Sequence, residues 1–255
     1  MKSLFLLPTA AFFLLGSSAK GALIAGDLSI IGFRADATDA IAFVVWTTIN
    51  AGESVHFTDA GYFSSGTLRD SEDIMTWTAT VGIEAGTVIV ISSPDTPASV
   101  TTNLGTVSGR LNGMSASGDQ VFAGTTAFPD TGDTSDPGSS YSGTLLFGID
   151  FGGATGWATT ATNTNTSALP SSLNSAGLNI GFADIDNGQY TGPRSGLTLA
   201  QYKAAVADTA NWTTNDEGAD FGALSSTAFT IVPEPASTLL GSLGIIALLR
   251  RRRFR

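Results

Sequence analysis

The run Ala40-Ile41-Ala42-Phe43-Val44-Val45-Trp46-Thr47-Thr48-Ile49 decides the fold. It is apolar without helical periodicity, rich in β-branched and aromatic residues, and stopped by Asn50-Ala51-Gly52. A run of that kind reads as a strand buried on both faces. Upstream, Leu28-Ser29-Ile30-Ile31-Gly32-Phe33 is a second strand. Downstream, Ser54-Val55-His56-Phe57-Thr58 alternates polar and apolar, as a half-exposed strand should. Met75–Thr78, Thr87–Ile91, Gln120–Ala123, Thr144–Ile149, Leu178–Phe182 and Ala228–Ile231 extend the series, separated by Gly, Asn, Asp and Pro. Strands at this density imply an all-β sandwich or barrel. One short helix is expected at Thr198–Val206, where Leu199, Tyr202 and Val206 share a face. The stretches Phe128–Ser142 and Thr159–Ser175 are rich in Ser, Thr, Gly, Asn and Asp and read as long solvated loops. Ile49-Asn50-Ala51-Gly52-Glu53-Ser54-Val55 is echoed by Ile83-Glu84-Ala85-Gly86-Thr87-Val88-Ile89, two similar turns that each lead into a strand.

The 255 residues, 42% hydrophobic and 13% charged, contain no cysteine and one histidine, His56. Thiol nucleophiles and the common Cys/His zinc sites are therefore excluded. Net charge is −10, but the termini hide a sharper asymmetry. Between residues 23 and 232 only Arg34, Arg69, Arg110, Arg194 and Lys203 oppose 21 acidic residues, a charge of −16. Such a body repels nucleic acid, excluding it as a partner, and attracts cations.

Residues 1–22 fit a secretory signal peptide: Lys2, an apolar run from Leu4 to Gly16, then Ser17-Ser18-Ala19. The far end has three parts in order: Val232-Pro233-Glu234-Pro235-Ala236, an apolar stretch Ser237–Leu249, and the basic cluster Arg250, Arg251, Arg252, Arg253 and Arg255. Thirteen helical residues would span roughly 20 Å, short of a hydrocarbon core of about 30 Å. The arginines should stop transfer and stay cytoplasmic. Pro233 and Pro235 keep the approach extended, a shape suited to a processing enzyme's groove.

In this order the three parts resemble the PEP-CTERM sorting signal of Gram-negative bacteria. That resemblance implies recognition of Pro233, Glu234 and Pro235 by an exosortase, transient inner-membrane anchoring through the C-terminal helix, and delivery to the cell surface or extracellular matrix. The intervening chain, taken as one domain over 23–231, carries Gly26–Phe33, Phe57-Thr58-Asp59-Ala60-Gly61, Thr76-Trp77-Thr78, Ala85–Val88, Ser117–Ala123, Asp186–Gly192 and Ala210–Thr213. As a set these resemble bacterial extracellular domains of the lamin-tail-like type, which implies an immunoglobulin-like β-sandwich and brings no catalytic residues with it.

His56 lies in an alternating strand, and no Ser in a nucleophile-elbow setting accompanies it, so it reads as a solvent-facing strand residue. Asp130, Asp133 and Asp136 recur every third residue in one loop, and Asp184 and Asp186 precede Asn187-Gly188 in another. Calcium takes oxygens from flexible loops of this kind, although neither has EF-hand spacing. Trp157, Trp212 and Tyr190 are the aromatic candidates for gripping sugars, if the tryptophans are not core. No carboxylate pair is singled out for glycoside hydrolysis. The expectation is a non-enzymatic, exopolysaccharide-associated surface protein without an obligate cofactor. The alternative is a secreted, calcium-assisted hydrolase acting on polysaccharide.

Overall fold

The computed structural model describes residues 22–36, 38–69, 72–129, 138–153, 156–216 and 222–234. In chain order the strands are β1 (Leu28–Arg34), β2 (Ala40–Val45), β3 (Ser54–Thr58), β4 (Ile74–Thr78), β5 (Val88–Ser92), β6 (Thr101–Thr102), β7 (Thr106–Gly109), β8 (Gln120–Gly124) and β9 (Leu145–Asp150). After α1 (Ser171–Ala176) come β10 (Asn179–Gly181), β11 (Asn187–Tyr190), β12 (Ser195–Leu197), α2 (Leu199–Val206), β13 (Trp212–Asn215) and β14 (Thr230–Ile231).

Twelve of these strands form two six-stranded sheets, ordered β13-β11-β1-β2-β5-β6 and β10-β9-β8-β3-β4-β7. Pairing is antiparallel throughout both, apart from β9 with β10. The sheets pack face to face through aromatic side chains. Phe43 of β2 meets Phe57 of β3 at 5.2 Å and Trp77 of β4 edge-on at 5.4 Å. Phe33 of β1 stacks on Phe151, just past β9, at 4.1 Å. Each such ring is worth about 1.5–3 kcal/mol for leaving water. The all-β sandwich read from the sequence is what forms.

The central strands β1, β2, β8 and β9 are buried on both faces, because each sheet is also covered from outside. On the first sheet Trp46 lies against Tyr202 of α2 (5.9 Å) and Phe229 (5.2 Å), while its indole N–H donates to Ser29 Oγ (2.8 Å). On the second, Phe122 meets Tyr62 at 5.0 Å and Trp157 at 5.6 Å, and Leu173 of α1 fills the space over Gly148. Helix α2 begins where expected, with Thr198 and Gln201 forming a reciprocal capping box. The described residues hold two short α-helices rather than the single one expected: α1 falls inside a stretch read as loop, and Leu173 draws it onto the sheet.

The two echoed turns face each other. Ile49 and Ile83 form an antiparallel bridge, each N–H donating to the other's carbonyl at 2.9 and 2.8 Å. Their glycines, Gly52 and Gly86, both take the left-handed φ (87° and 89°). Gly86 has a second constraint: the Phe229 N–H donates to its carbonyl at 2.8 Å, so the C-terminal segment lies directly on it.

Candidate functional site

One end of the sandwich gathers carboxylates. The ends of β1, β3, β5, β9 and β13 and the beginnings of β2, β4, β8 and β11 lie there, and Asp or Glu stands at or next to most of them. Between β7 and β8 the chain crosses this end from Leu111 to Asp119 without regular structure, so its N–H groups need acceptors. The strand-end acids supply them. Asn112 N–H donates to Asp59 Oδ2 (2.8 Å), Met114 N–H to Asp39 Oδ2 (2.8 Å) and Ser115 N–H to Asp119 Oδ2 (3.0 Å).

Asp119 Oδ1 accepts from both the backbone (2.8 Å) and the side-chain amide (2.9 Å) of Gln120. That amide also donates to the Asp59 carbonyl and, at 2.9 Å, to the Thr164 carbonyl. Asn112 Nδ2 reaches Glu72 Oε2 at 3.5 Å, so one asparagine spans two acids. Three oxygens in this group are buried without a hydrogen-bond donor: Asp59 Oδ1, Glu72 Oε1 and Gln120 Oε1.

Desolvation dominates the electrostatics. Burial, then the neighbouring Glu72 charge, pushes the Asp59 carboxyl well above its ordinary range. Asp119 is raised by burial and then by Asp59, and Glu72 by burial against the partial relief of Asn112 and Arg69. Burial also lifts Asp39 to about 7 and Asp150 to about 8. Arg110 Nε is already engaged by Asp73 at 2.5 Å.

At a corner of the same end, Asp184 and Asp186 are brought to Asp36 and Asp216 from elsewhere in the chain. Burial, contact with Asp36 and the surrounding charges raise Asp186 to about 6. Asn187 Nδ2 donates to Asp36 Oδ2 at 3.5 Å. The other predicted calcium ligands, Asp130, Asp133 and Asp136, lie outside the described residues. Among the described residues no three His, Asp or Glu side chains are arranged as the ligands of one metal ion.

A different surface feature is a groove of about 690 Å³ between the Tyr62–Gly66 turn, the Tyr141–Leu145 segment and the Ala168–Ser172 entry to α1. Ser64, Ser65, Thr144, Thr159, Ser171 and Ser172 supply hydroxyls, all on exposed residues, and the half-buried rings of Phe63 and Tyr141 supply apolar faces. None of the described residues lining it carries a charge. Tyr141 is fixed: it stacks on Phe128 at 4.3 Å, and its hydroxyl donates to Thr126 O and accepts from Thr126 N–H, both at 3.1 Å.

Of the aromatic residues singled out in the sequence, Trp212 and Tyr190 are core and Trp157 is half-buried over Phe122, and none of the three lines the groove. His56 is half-buried rather than openly solvent-facing, with Nδ1 2.9 Å from Thr76 Oγ1, and burial lowers its pKa. Pro233 and Glu234 follow β14 in irregular chain. Pro235, the apolar stretch and the arginine cluster lie outside the described residues, as does the N-terminal signal through residue 21. No helix among the described residues is long and apolar enough to cross a membrane. Sequence reading did not single out Asp39, Asp59, Glu72, Asp119 or Gln120 as a site. Their one sequence signal is an acid at the margin of an apolar strand, as in Phe57-Thr58-Asp59 and Asp119-Gln120-Val121. No family model, no curated protein and no solved structure matches the chain.

Proposed function

We infer that this is an exported cell-surface or matrix protein whose β-sandwich holds neutral polysaccharide, with a binding rather than a catalytic role. The observation that carries this reading is the groove at Tyr62–Gly66 and Tyr141–Leu145: hydroxyls and two ring faces, with no charge among the described lining residues, on a body of charge −16. Sugar rings stack their C–H faces on aromatic rings and exchange hydrogen bonds with hydroxyls, so this lining suits an uncharged glycan. The raised carboxyls, which a hydrolase would need as acid or base, belong to Asp39, Asp59, Glu72, Asp119, Asp150 and Asp186 at or beside strand ends, and none of these lines the groove. Pro233, Glu234 and Pro235 followed by the short apolar stretch and arginines support processing by an exosortase, and the two-sheet architecture supports a lamin-tail-like assignment.

The test is calorimetric titration of the purified chain with a neutral and with an acidic matrix polysaccharide. Neutral polysaccharide is expected to bind, and Tyr141→Ala to weaken it about three- to tenfold, the worth of one lost stacking contact. Equal binding of both polymers, or an unaltered affinity in Tyr141→Ala, would remove the groove from the argument. Mass spectrometry of the mature protein tests the sorting half: a C-terminus still at Arg255 on cells is incompatible with it.

A further inference from the structure

Asp59, Glu72 and Gln120 come from the end of β3, the approach to β4 and the start of β8, and the fold closes over all three. Asp59 is 2% exposed, Glu72 8% and Gln120 0%. Each nevertheless keeps one oxygen without a donor. Buried acceptors are almost always satisfied, so three unmet ones in one neighbourhood call for a partner of their own.

The charge balance says the same. Asp119 has both oxygens occupied by N–H groups, and Arg110 is engaged by Asp73. Arg69 relieves Glu72 in part. What is left over falls on Asp59 Oδ1 and Glu72 Oε1, whose carboxylates are tied together through Asn112 and oppose each other electrostatically. A proton shared between the two carboxyls would satisfy both oxygens but leave Gln120 Oε1 unmet. A water would bring donors without charge. A hard cation meets carboxylate, amide and carbonyl oxygens together, and calcium accepts such mixed sets at roughly 2.3–2.6 Å in irregular loop geometry.

We propose that Asp59 and Glu72, with the Gln120 side-chain oxygen, form an interior site for one divalent cation of the calcium type, completed by backbone carbonyls or water. With two carboxylates it is compatible with the absence, among the described residues, of any three acidic or histidine side chains around one metal position. The acid-rich corner at Asp36, Asp184, Asp186 and Asp216 is the competing location. The bound ion would fix the start of the Asp59–Tyr62 segment, which runs directly into the wall of the groove.

The full chain, stripped with EDTA at pH 8, is titrated with calcium chloride while melting temperature and heat of binding are followed. Calcium at about 100 times its Kd is expected to raise Tm by roughly 5–10 °C. Asp59→Asn and Glu72→Gln should each weaken calcium at least tenfold. Both should leave the stripped protein folded and no less stable, since each removes a buried charge that its neighbours only partly offset. The double variant Asp184→Asn/Asp186→Asn should titrate like the parent. No Tm shift and no heat up to about 10 mM calcium, beyond the range of weak extracellular sites, overturns the proposal. So does a response that persists in both interior variants, or one that vanishes in the corner variant.

Discussion

Asp150 offers a substitution at a buried charged position that should stabilise the protein. It closes β9, is 1% exposed, and is raised from 3.8 to about 8 by burial, against which a hydrogen bond from Gly152 N–H to Oδ1 (3.1 Å) works only weakly. Among the described residues no charged neighbour contributes to the shift, so the effect is traced to this one group. The folded-state pKa lies above the unfolded one. The contribution to stability is therefore fully present below about pH 4 and is lost as pH rises through the folded value near 8. Each unit of that window is worth at most about 1.4 kcal/mol, so between pH 5 and pH 7 the upper bound is about 2.7 kcal/mol. Relaxation and water entry reduce this, and about 1–2 kcal/mol is a reasonable expectation. In Asp150→Asn the amide oxygen can keep the Gly152 contact and the charge cannot form. Urea unfolding of the parent and the variant in EDTA at pH 5, 6, 7 and 8 gives the comparison. The variant should lead the parent modestly at pH 5 and increasingly toward pH 8. A variant less stable than the parent at pH 8, or a difference that does not change with pH, would refute the reasoning.

Gly86→Ala should cost about 2–3 kcal/mol, because φ is 89° and the new Cβ would collide with the Phe229 carbonyl oxygen. Alongside the lower denaturation midpoint, the near-ultraviolet signal of Trp46, which packs on Phe229, should change. Thr198→Ala removes the hydroxyl that accepts the Gln201 N–H at the start of α2 and should cost about 1 kcal/mol, with Thr198→Asn restoring it in the same denaturation assay.

The strands that sequence analysis found are those whose burial is written into their own residues. Ala40–Val45 and Val121–Ala123 are apolar on both faces and need no partner to be recognised. Asn187-Gly188 reads from sequence as part of an acidic loop, and Asn-Gly-Gln-Tyr has no apolar pattern. It becomes β11 because β1 offers an edge, with Gly32, Phe33 and Arg34 opposite Gln189, Gly188 and Asn187. Gly188 is required at that register, since the Phe33 ring occupies the place of a Cβ. β7 is likewise not legible in the sequence: Thr106–Gly109 is largely exposed and owes its form to pairing with β4. The carboxylate end was illegible because single aspartates at strand margins look like turn formers. Only the packing of β2, β3, β4 and β8 shows that Asp39, Asp59, Glu72 and Asp119 are enclosed together.

A chain without cysteine must hold its long irregular segments by other means. Here the means are carboxylates projecting from strand ends into loop backbone. Asp39, Asp59 and Asp119 each accept an N–H from the Leu111–Asp119 crossing, and so pin one loop at three points. Disulfides would do this irrespective of pH. Carboxylate clamps do not: each ionised group is costly to enclose, and enclosing several together multiplies the cost. The strain can be relieved by protons at low pH or by a cation at higher pH. Loop fixation in this protein should therefore respond to acidity and to divalent ions rather than to redox state. The two stabilising agents should also act in exchange for one another. As pH falls from 8 toward 5 and Asp59 takes up its proton, the stabilisation by calcium should shrink while the stability of the stripped protein grows.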